Sequence, residues 1–233
     1  MPSLAPTDGT TPKALRSTDT VYARLKQHIL DNRYPPGAQI LESAVVQEFG
    51  VSRTPVREAF VRLQQEGLLE IVPRHGVRIS ALSPGDMREI YEVLMSLEAT
   101  AIELLVARHP TKEDLTGLVA ACDAMETALA GPQPDLEAWA VGDEQFHMNL
   151  AALCGNKRLA AMIMTVWDQA HRARMFTLRL RPLPAKSTAE HRAVVDAILA
   201  GDGNKARELY VAHRKRGGSE LLSIIEHHGI QRL

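Results

Sequence analysis

The spacing of apolar residues changes along the chain, and each change marks a new element. Val21, Leu25 and Ile29 recur every fourth position, which predicts a helix over about 20–32 that Tyr34-Pro35-Pro36-Gly37 breaks. A short helix is predicted over 42–49, closed by Gly50, and a third over 53–66, stopped at Gly67. In LLEIVPRHGVRISAL the period shortens to two around a Pro-Arg-His-Gly turn. Ile71, Val77 and Ile79 fall at strand positions, so a β-hairpin follows the three helices.

From Ser83 onward the strand period is gone. Ser83 caps a helix with Pro84 in its first turn, followed by Met87, Ile90, Tyr91, Leu94, Leu97, Ala101 and Leu105 at three-and-four spacing. Thr111-x-x-Asp114 resembles a capping box for a helix carrying Leu115, Leu118, Val119, Cys122, Met125 and Leu129. Asp135 caps the next, which runs to Cys154-Gly155, and Asn156 caps another reaching about Leu180. Ser187-x-x-Glu190 reads as a full capping box for a helix ending near Gly201, and the last helix covers about 204–227. The expectation is a mostly α protein: three helices plus a β-hairpin, then an all-α antiparallel bundle of about six helices. The divisions are a flexible polar tail at 1–18, a small N-terminal domain at 19–81 and the bundle at 82–228.

Composition narrows the classes. With 45% hydrophobic, 24% charged and only 4% aromatic residues the chain reads as a soluble helical protein. A net charge of −1 rules out a chain that is basic throughout, so any nucleic-acid contact must come from a local patch. Cys122 and Cys154 lie in apolar helical stretches and read as buried thiols, not a disulfide. No apolar run approaches the roughly 20 residues of a membrane span and no secretory leader is legible, which points to the cytoplasm with no membrane partner.

The candidate chemistry begins at GVSRTPVREAF, residues 50–60. Val56, Ala59, Phe60 and Leu63 share one helix face, and Ser52, Arg53, Thr54 and Arg57 fall on the other at the N-terminal end. There the unpaired amides and the dipole favour a phosphate, and arginine is the side chain that most often reads guanine in a major groove. Arg74 and His75 sit at the hairpin tip, where they would touch the backbone or minor groove. The same pattern also describes a solvated basic face, because across residues 19–80 Lys and Arg are nearly cancelled by Asp and Glu.

Farther on, Asp143 and His147 stand four apart on one helix, His191 opens another beside Val194, Val195 and Ile198, and His213 lies on the last helix facing as Leu209 does. Singly each is a polar side chain at a core margin. Together, one Asp and three His on three helices of one bundle suit a divalent transition metal. A metal-dependent hydrolase or isomerase with a DNA-binding appendage is the competing class. Against it, only Glu144 stands near these positions as a general base, about 100° around the helix from Asp143.

The stretch PPGAQILESAVVQEFGVSRTPVREAFVRLQQEGLLEIVPRHGVRIS resembles the winged helix-turn-helix of the GntR family of bacterial transcription regulators. The C-terminal part is similar to the FCD ligand-binding domain of that family's FadR-type branch. The resemblance rests on Y-E-V-x-x-x-L-E at 91–98, D-x-x-F-H at 143–147, E-H-x-x-x-x-x-A-I at 190–198 and GDGNKARELYVAHR. It implies a DNA-binding regulator without enzymatic activity, commonly a repressor, acting as a homodimer on a palindromic operator. Ser52, Arg53, Thr54, Arg57, Arg74, His75 and Gly76 would face DNA. Asp143, His147, His191 and His213 would hold the metal, zinc first, with nickel, manganese or iron as alternatives. A small organic acid would be the effector, met by Arg172 and Arg174 from the cluster that also contains Arg179 and Arg181. Two departures stand out: Ala44-Val45-Val46 replaces the usual leucine-alanine pair, and Leu94 stands where many such domains carry an effector-binding arginine.

Overall fold

The computed structural model describes residues 18–231. The expected tail lies outside the described residues up to position 17, and Thr18 already opens the first helix. The chain divides into two compact units at Ala81/Leu82.

The N-terminal unit contains α1 (Thr18–Leu30), β1 (Gln39–Ile40), α2 (Glu42–Phe49), α3 (Arg53–Gln65), β2 (Leu69–Val72) and β3 (Gly76–Ile79). Strand β3 pairs antiparallel with β2, placing Ile71 opposite Val77 and Leu69 opposite Ile79. The two-residue β1, which the apolar period could not reveal, pairs on the other side of β3. Close approach at that edge fixes Gly76: its φ is +81°, and a Cβ there would collide with the Ile40 carbonyl oxygen. One core holds the unit together. Val21, Leu25 and Ile29 of α1, Val45 of α2, Val56, Phe60 and Leu63 of α3, and Val77 and Ile79 of β3 are all buried. Val45 fills its position in that core completely, so the valines in place of leucine-alanine repack it. Each such side chain contributes about 1.5–3 kcal/mol by leaving water.

The second unit is all-helical among the described residues: α4 (Pro84–Ala107), α5 (Thr116–Leu129), α6 (Leu136–Leu153), α7 (Lys157–Thr177), α8 (Ala185–Leu199) and α9 (Gly203–His227), with a 3-10 turn at Leu178–Leu180. Helix α4 packs on α9, α5 on α6, and α8 on α9. Ser83 and Asp86 form a reciprocal capping box at α4, and Asp135 and Asn156 each accept two amide hydrogens at the starts of α6 and α7. Thr111 and Asp114 also bond reciprocally, one turn before α5.

The expected capping box at Ser187 is not one. Helix α8 starts earlier, at Ala185, with no side-chain cap, so Ser187 and Glu190 lie inside it. Their polar atoms are used across the bundle instead: Arg216 donates to Ser187 Oγ at 2.8 Å, and Glu190 bonds His213 and Arg216. Leu94 is fully buried in the bundle core, so no polar group reaches a ligand from that position.

Candidate functional sites

In the N-terminal unit, α3 turns its apolar face into the core and its basic end outward. Pro55 and Val56 are buried, whereas Ser52, Arg53, Thr54 and Arg57 are exposed. Ser52 is the N-cap residue by position, yet its hydroxyl makes no capping bond. Arg74, with φ +65°, and His75 are exposed at the β2–β3 turn, where Gln39 donates to the His75 carbonyl at 2.9 Å. Between α2, α3 and the turn lies a concavity of about 540 Å³, lined among others by Glu42, Arg53, Arg57, Arg74 and Gly76. Three arginines and one carboxylate are among its lining. Glu42 accepts from Arg57 Nε at 2.6 Å, and its other oxygen lies 3.7 Å from Arg53 Nε. That hydrogen bond and the carboxylate charge raise the affinity of Arg57 for its proton above the ordinary value. The sequence reading did not single out Glu42. Its signal was positional: the first residue of a predicted helix directly preceding the basic one.

In the second unit, α6 supplies Asp143 and His147, α8 supplies His191, and α9 supplies His213. All four are buried, and one ring nitrogen from each histidine lies within 4.8 Å of the others. His191 Nε2 and His213 Nε2 are 3.1 Å apart. Asp143 stands at the edge of this cluster, 3.8 Å from His147 Nε2 and 3.9 Å from His191 Nε2, and its closest partner is Arg174. Two of the rings are held from behind: His213 Nδ1 by Glu190 at 2.8 Å, His147 Nδ1 by Tyr210 Oη at 2.8 Å. Tyr210, His213 and Arg214 share one face of α9 at three-and-four spacing, and Arg214 is held in turn by buried Glu98 at 2.7 Å.

Electrostatics sets the protonation of this centre. Burial first, and then Arg214 for His147 and His213 for His191, push both imidazoles well below their ordinary pKa. Burial lowers His213 as well. All three are therefore neutral, which is the form that offers a lone pair. Burial alone would raise Asp143, but the charge and hydrogen bond of Arg174 outweigh it and hold the carboxyl ionised. Glu190 is likewise pulled down to about 2, the His213 and Arg216 hydrogen bonds overcoming its desolvation.

The donor set passes a test for a metal. His147 Nε2 is buried without a hydrogen-bond partner, and such a nitrogen is costly unless something accepts its lone pair or proton. Behind the rings stand groups that orient metal-bound imidazoles, Glu190 and Tyr210. Arg214 Nη2, 3.0 Å from His147 Nδ1, can only donate, so that contact belongs to the ring with its proton on Nε2. The Tyr210 hydroxyl can accept as well, and so serves a ring whose Nε2 gives its lone pair away.

Asp143 and His213 also border a cavity of about 550 Å³, whose wall includes Arg174, Arg181, Lys186 and Arg216. Arg216 is balanced by Glu190 and Glu220, Arg214 by Glu98 and Arg174 by Asp143. Among the described residues Arg181 bonds a hydroxyl and no carboxylate, Thr177 Oγ1 at 3.0 Å, and burial lowers its affinity for its proton. Of the arginines expected to meet an effector, Arg174 is in this wall. Arg172 is 2% exposed and is not part of the lining, and burial brings its pKa down to about 10. Arg179 pairs with Glu137 at the surface. Sequence reasoning missed Glu98, Glu190, Tyr210, Arg214 and Arg216 as parts of this centre.

A helix with an exposed basic end beside a β-hairpin, joined in one chain to a helical bundle with a polar interior, is the arrangement of a class of transcription regulators. Residues 17–79 match the family described as bacterial regulatory proteins, gntR family, and residues 89–216 match the FCD domain. The chain belongs to the GntR family of transcription regulators and carries an FCD domain. It is 44% identical over 133 residues to an uncharacterized HTH-type transcriptional regulator in the TAR-I ttuE-ttuC' intergenic region of Agrobacterium vitis, covering 56% of this chain and 77% of that one. It is 27% identical to the HTH-type transcriptional repressor GlaR of Escherichia coli, over 82% of this chain and 90% of that one. The solved structure of E. coli McbR/YncC shares the fold with a TM-score of 0.76 at 20% identity, covering 88% and 97% of the two chains. These relatives and this fold are those of transcription regulators, not of enzymes. Among the described residues no helix is long and apolar enough to cross a membrane.

Proposed function

We propose that this regulator is a cytoplasmic repressor that binds a palindromic operator as a homodimer and is released by a small organic acid anion. In this reading Ser52, Arg53, Thr54 and Arg57 enter the major groove, and Arg74, His75 and Gly76 touch the neighbouring backbone or minor groove. Two copies related by a two-fold axis would read two half-sites. His147, His191 and His213, with Asp143, would hold one divalent transition metal, zinc first by donor type. When bound, that cation supplies a fixed positive charge to which an anionic oxygen can bind.

The observation that carries the reading is the convergence of three buried imidazoles, of which His213, together with Asp143, borders a cavity rich in arginine. The chain's own residues do the rest of the work. Glu190 and Tyr210 orient rings, Arg174 bonds Asp143, and Arg181, hydrogen-bonded to the Thr177 hydroxyl, offers charge to a carboxylate. An effector changes operator affinity only if it binds the two conformations of the regulator unequally.

The test is calorimetric titration of chelator-stripped protein with zinc, beside His191→Ala. Stoichiometric binding to the wild type and at least a hundredfold weaker binding to the variant is the expected result. Equal affinity for the two proteins would remove the metal from the account. A panel of mono- and dicarboxylates in an operator-binding assay then tests release, and no response from any of them would remove the organic acid.

A further inference from the structure

We propose that Glu42 is a positioning residue for DNA recognition: its carboxylate aims Arg57, and with it Arg53, so that these arginines favour bases over phosphates. The inference rests on the reading that Arg57 faces the operator. Glu42 is the first residue of α2, its side chain 23% exposed within the concavity, whereas Arg57 is 64% and Arg53 70% exposed. One carboxylate therefore stands between two arginines one helical turn apart, each oxygen toward a different Nε.

Two physical consequences follow. A hydrogen bond at Nε turns the guanidinium and leaves the Nη pair as the outward edge, the fork that grips guanine O6 and N7. Without it, an arginine this exposed samples many rotamers and collapses onto whichever phosphate is nearest. The second consequence concerns charge. The concavity otherwise presents Arg53, Arg57 and Arg74, and a carboxylate among them repels every phosphate of every sequence. On a DNA-facing surface that charge weakens general affinity. It is useful where rejecting non-specific sites counts as much as holding the right one.

The experiment uses the full-length protein, a duplex selected by the wild type from a randomised pool, and a scrambled duplex of the same length and composition. Binding is followed by fluorescence anisotropy across a salt series. Glu42→Gln keeps the side chain's size. It should bind the selected duplex about tenfold more weakly and the scrambled duplex equally or more tightly. On the scrambled duplex the log–log salt dependence should steepen by about one, as a freed arginine reaches a phosphate. In an Arg57→Ala background the same substitution should change the preference for the selected duplex far less, by only what Arg53 and the carboxylate charge contribute.

Loss of both duplexes by one factor would show a merely structural role for Glu42 and overturn the proposal. Persistence of the full effect without Arg57 would also overturn it, since the carboxylate would then act on DNA directly. If Arg57→Ala itself costs nothing on the selected duplex, the underlying reading of Arg57 fails. If Arg57→Ala weakens binding while Glu42→Gln is silent, only the positioning role fails.

Discussion

In the N-terminal unit Glu42 holds Arg57 at 2.6 Å with 64% of the arginine side chain in solvent; in the bundle Glu98 holds Arg214 at 2.7 Å with 3% of it exposed. The chemistry is one carboxylate and one guanidinium in both places, and burial separates the consequences. An exposed pair gains little over water and can exchange with water at little cost. A buried pair has no such exchange. Each partner alone would be a charge out of water, so the pair is obligatory and fixes what lies beside it, here Tyr210 and His147.

The largest effect should therefore come from breaking the buried pair. Glu98→Ala leaves the Arg214 charge without its partner and should lower unfolding free energy by about 3–5 kcal/mol, read by urea denaturation. Replacing both residues with apolar ones should recover much of that. Glu42→Ala should leave the midpoint almost where it was. If Glu98→Ala cost less than about 1 kcal/mol, water would be reaching the bundle centre and the contrast with the exposed pair would collapse.

Acid is a second way to separate the units. His147 and His191 stay neutral in the folded state while the unfolded chain takes up protons near the ordinary value of 6.5. Below that pH the unfolded state binds more protons than the native one, so stability falls as pH falls. Each such histidine contributes up to about 1.4 kcal/mol per pH unit. Asp143 and Glu190 have depressed values, so their stabilisation is complete above the carboxylate range and constant in this window. Denaturation with a chelator present, from pH 7 to 5.5, should show the decline. A flat profile would mean that the rings are hydrated.

Arg57→Ala measures the exposed side of the comparison. It should weaken operator binding roughly 10- to 100-fold and broaden sequence preference, while leaving thermal stability unchanged. An equal loss on all sequences would show an arginine that holds phosphate only.

How much of this the residues announced differs by region for the same reason. The basic helix was legible because its charged end and its amphipathic period lie in one stretch: Val56, Ala59, Phe60 and Leu63 set the buried face, and Arg53 and Arg57 fall opposite. The hairpin register was legible from the alternation at Ile71, Val77 and Ile79. Strand β1 was not, since Gln39 and Ile40 are strand only by pairing with β3. In the bundle the four candidate ligands were legible singly, but their supports come from other helices: Glu98 from α4, Glu190 from α8, Arg214 from α9. Local spacing cannot show that Glu98 meets a residue 116 positions away. The same limit explains Ser187. Its spacing to Glu190 fits a cap, yet tertiary partners on α9 claim both side chains.

Ser187→Ala gives the smallest effect and asks whether burial or location in the bundle is what matters. Arg216 donates to Ser187 Oγ at 2.8 Å, but 22% of the Arg216 side chain is exposed at the cavity wall and Glu190 and Glu220 already hold it. The lost bond leaves a guanidinium that water and two carboxylates can satisfy, so stability should change by no more than about 0.5 kcal/mol. A true cap at that position would cost about twice as much on removal, as Asn156→Ala should at the start of α7. A small loss for Ser187→Ala beside a large one for Glu98→Ala would place the dividing line at access to water, running through the bundle itself and not between the two units. A loss of about 2 kcal/mol or more would instead make the whole bundle interior one cooperative polar network, with its rim as intolerant as its centre.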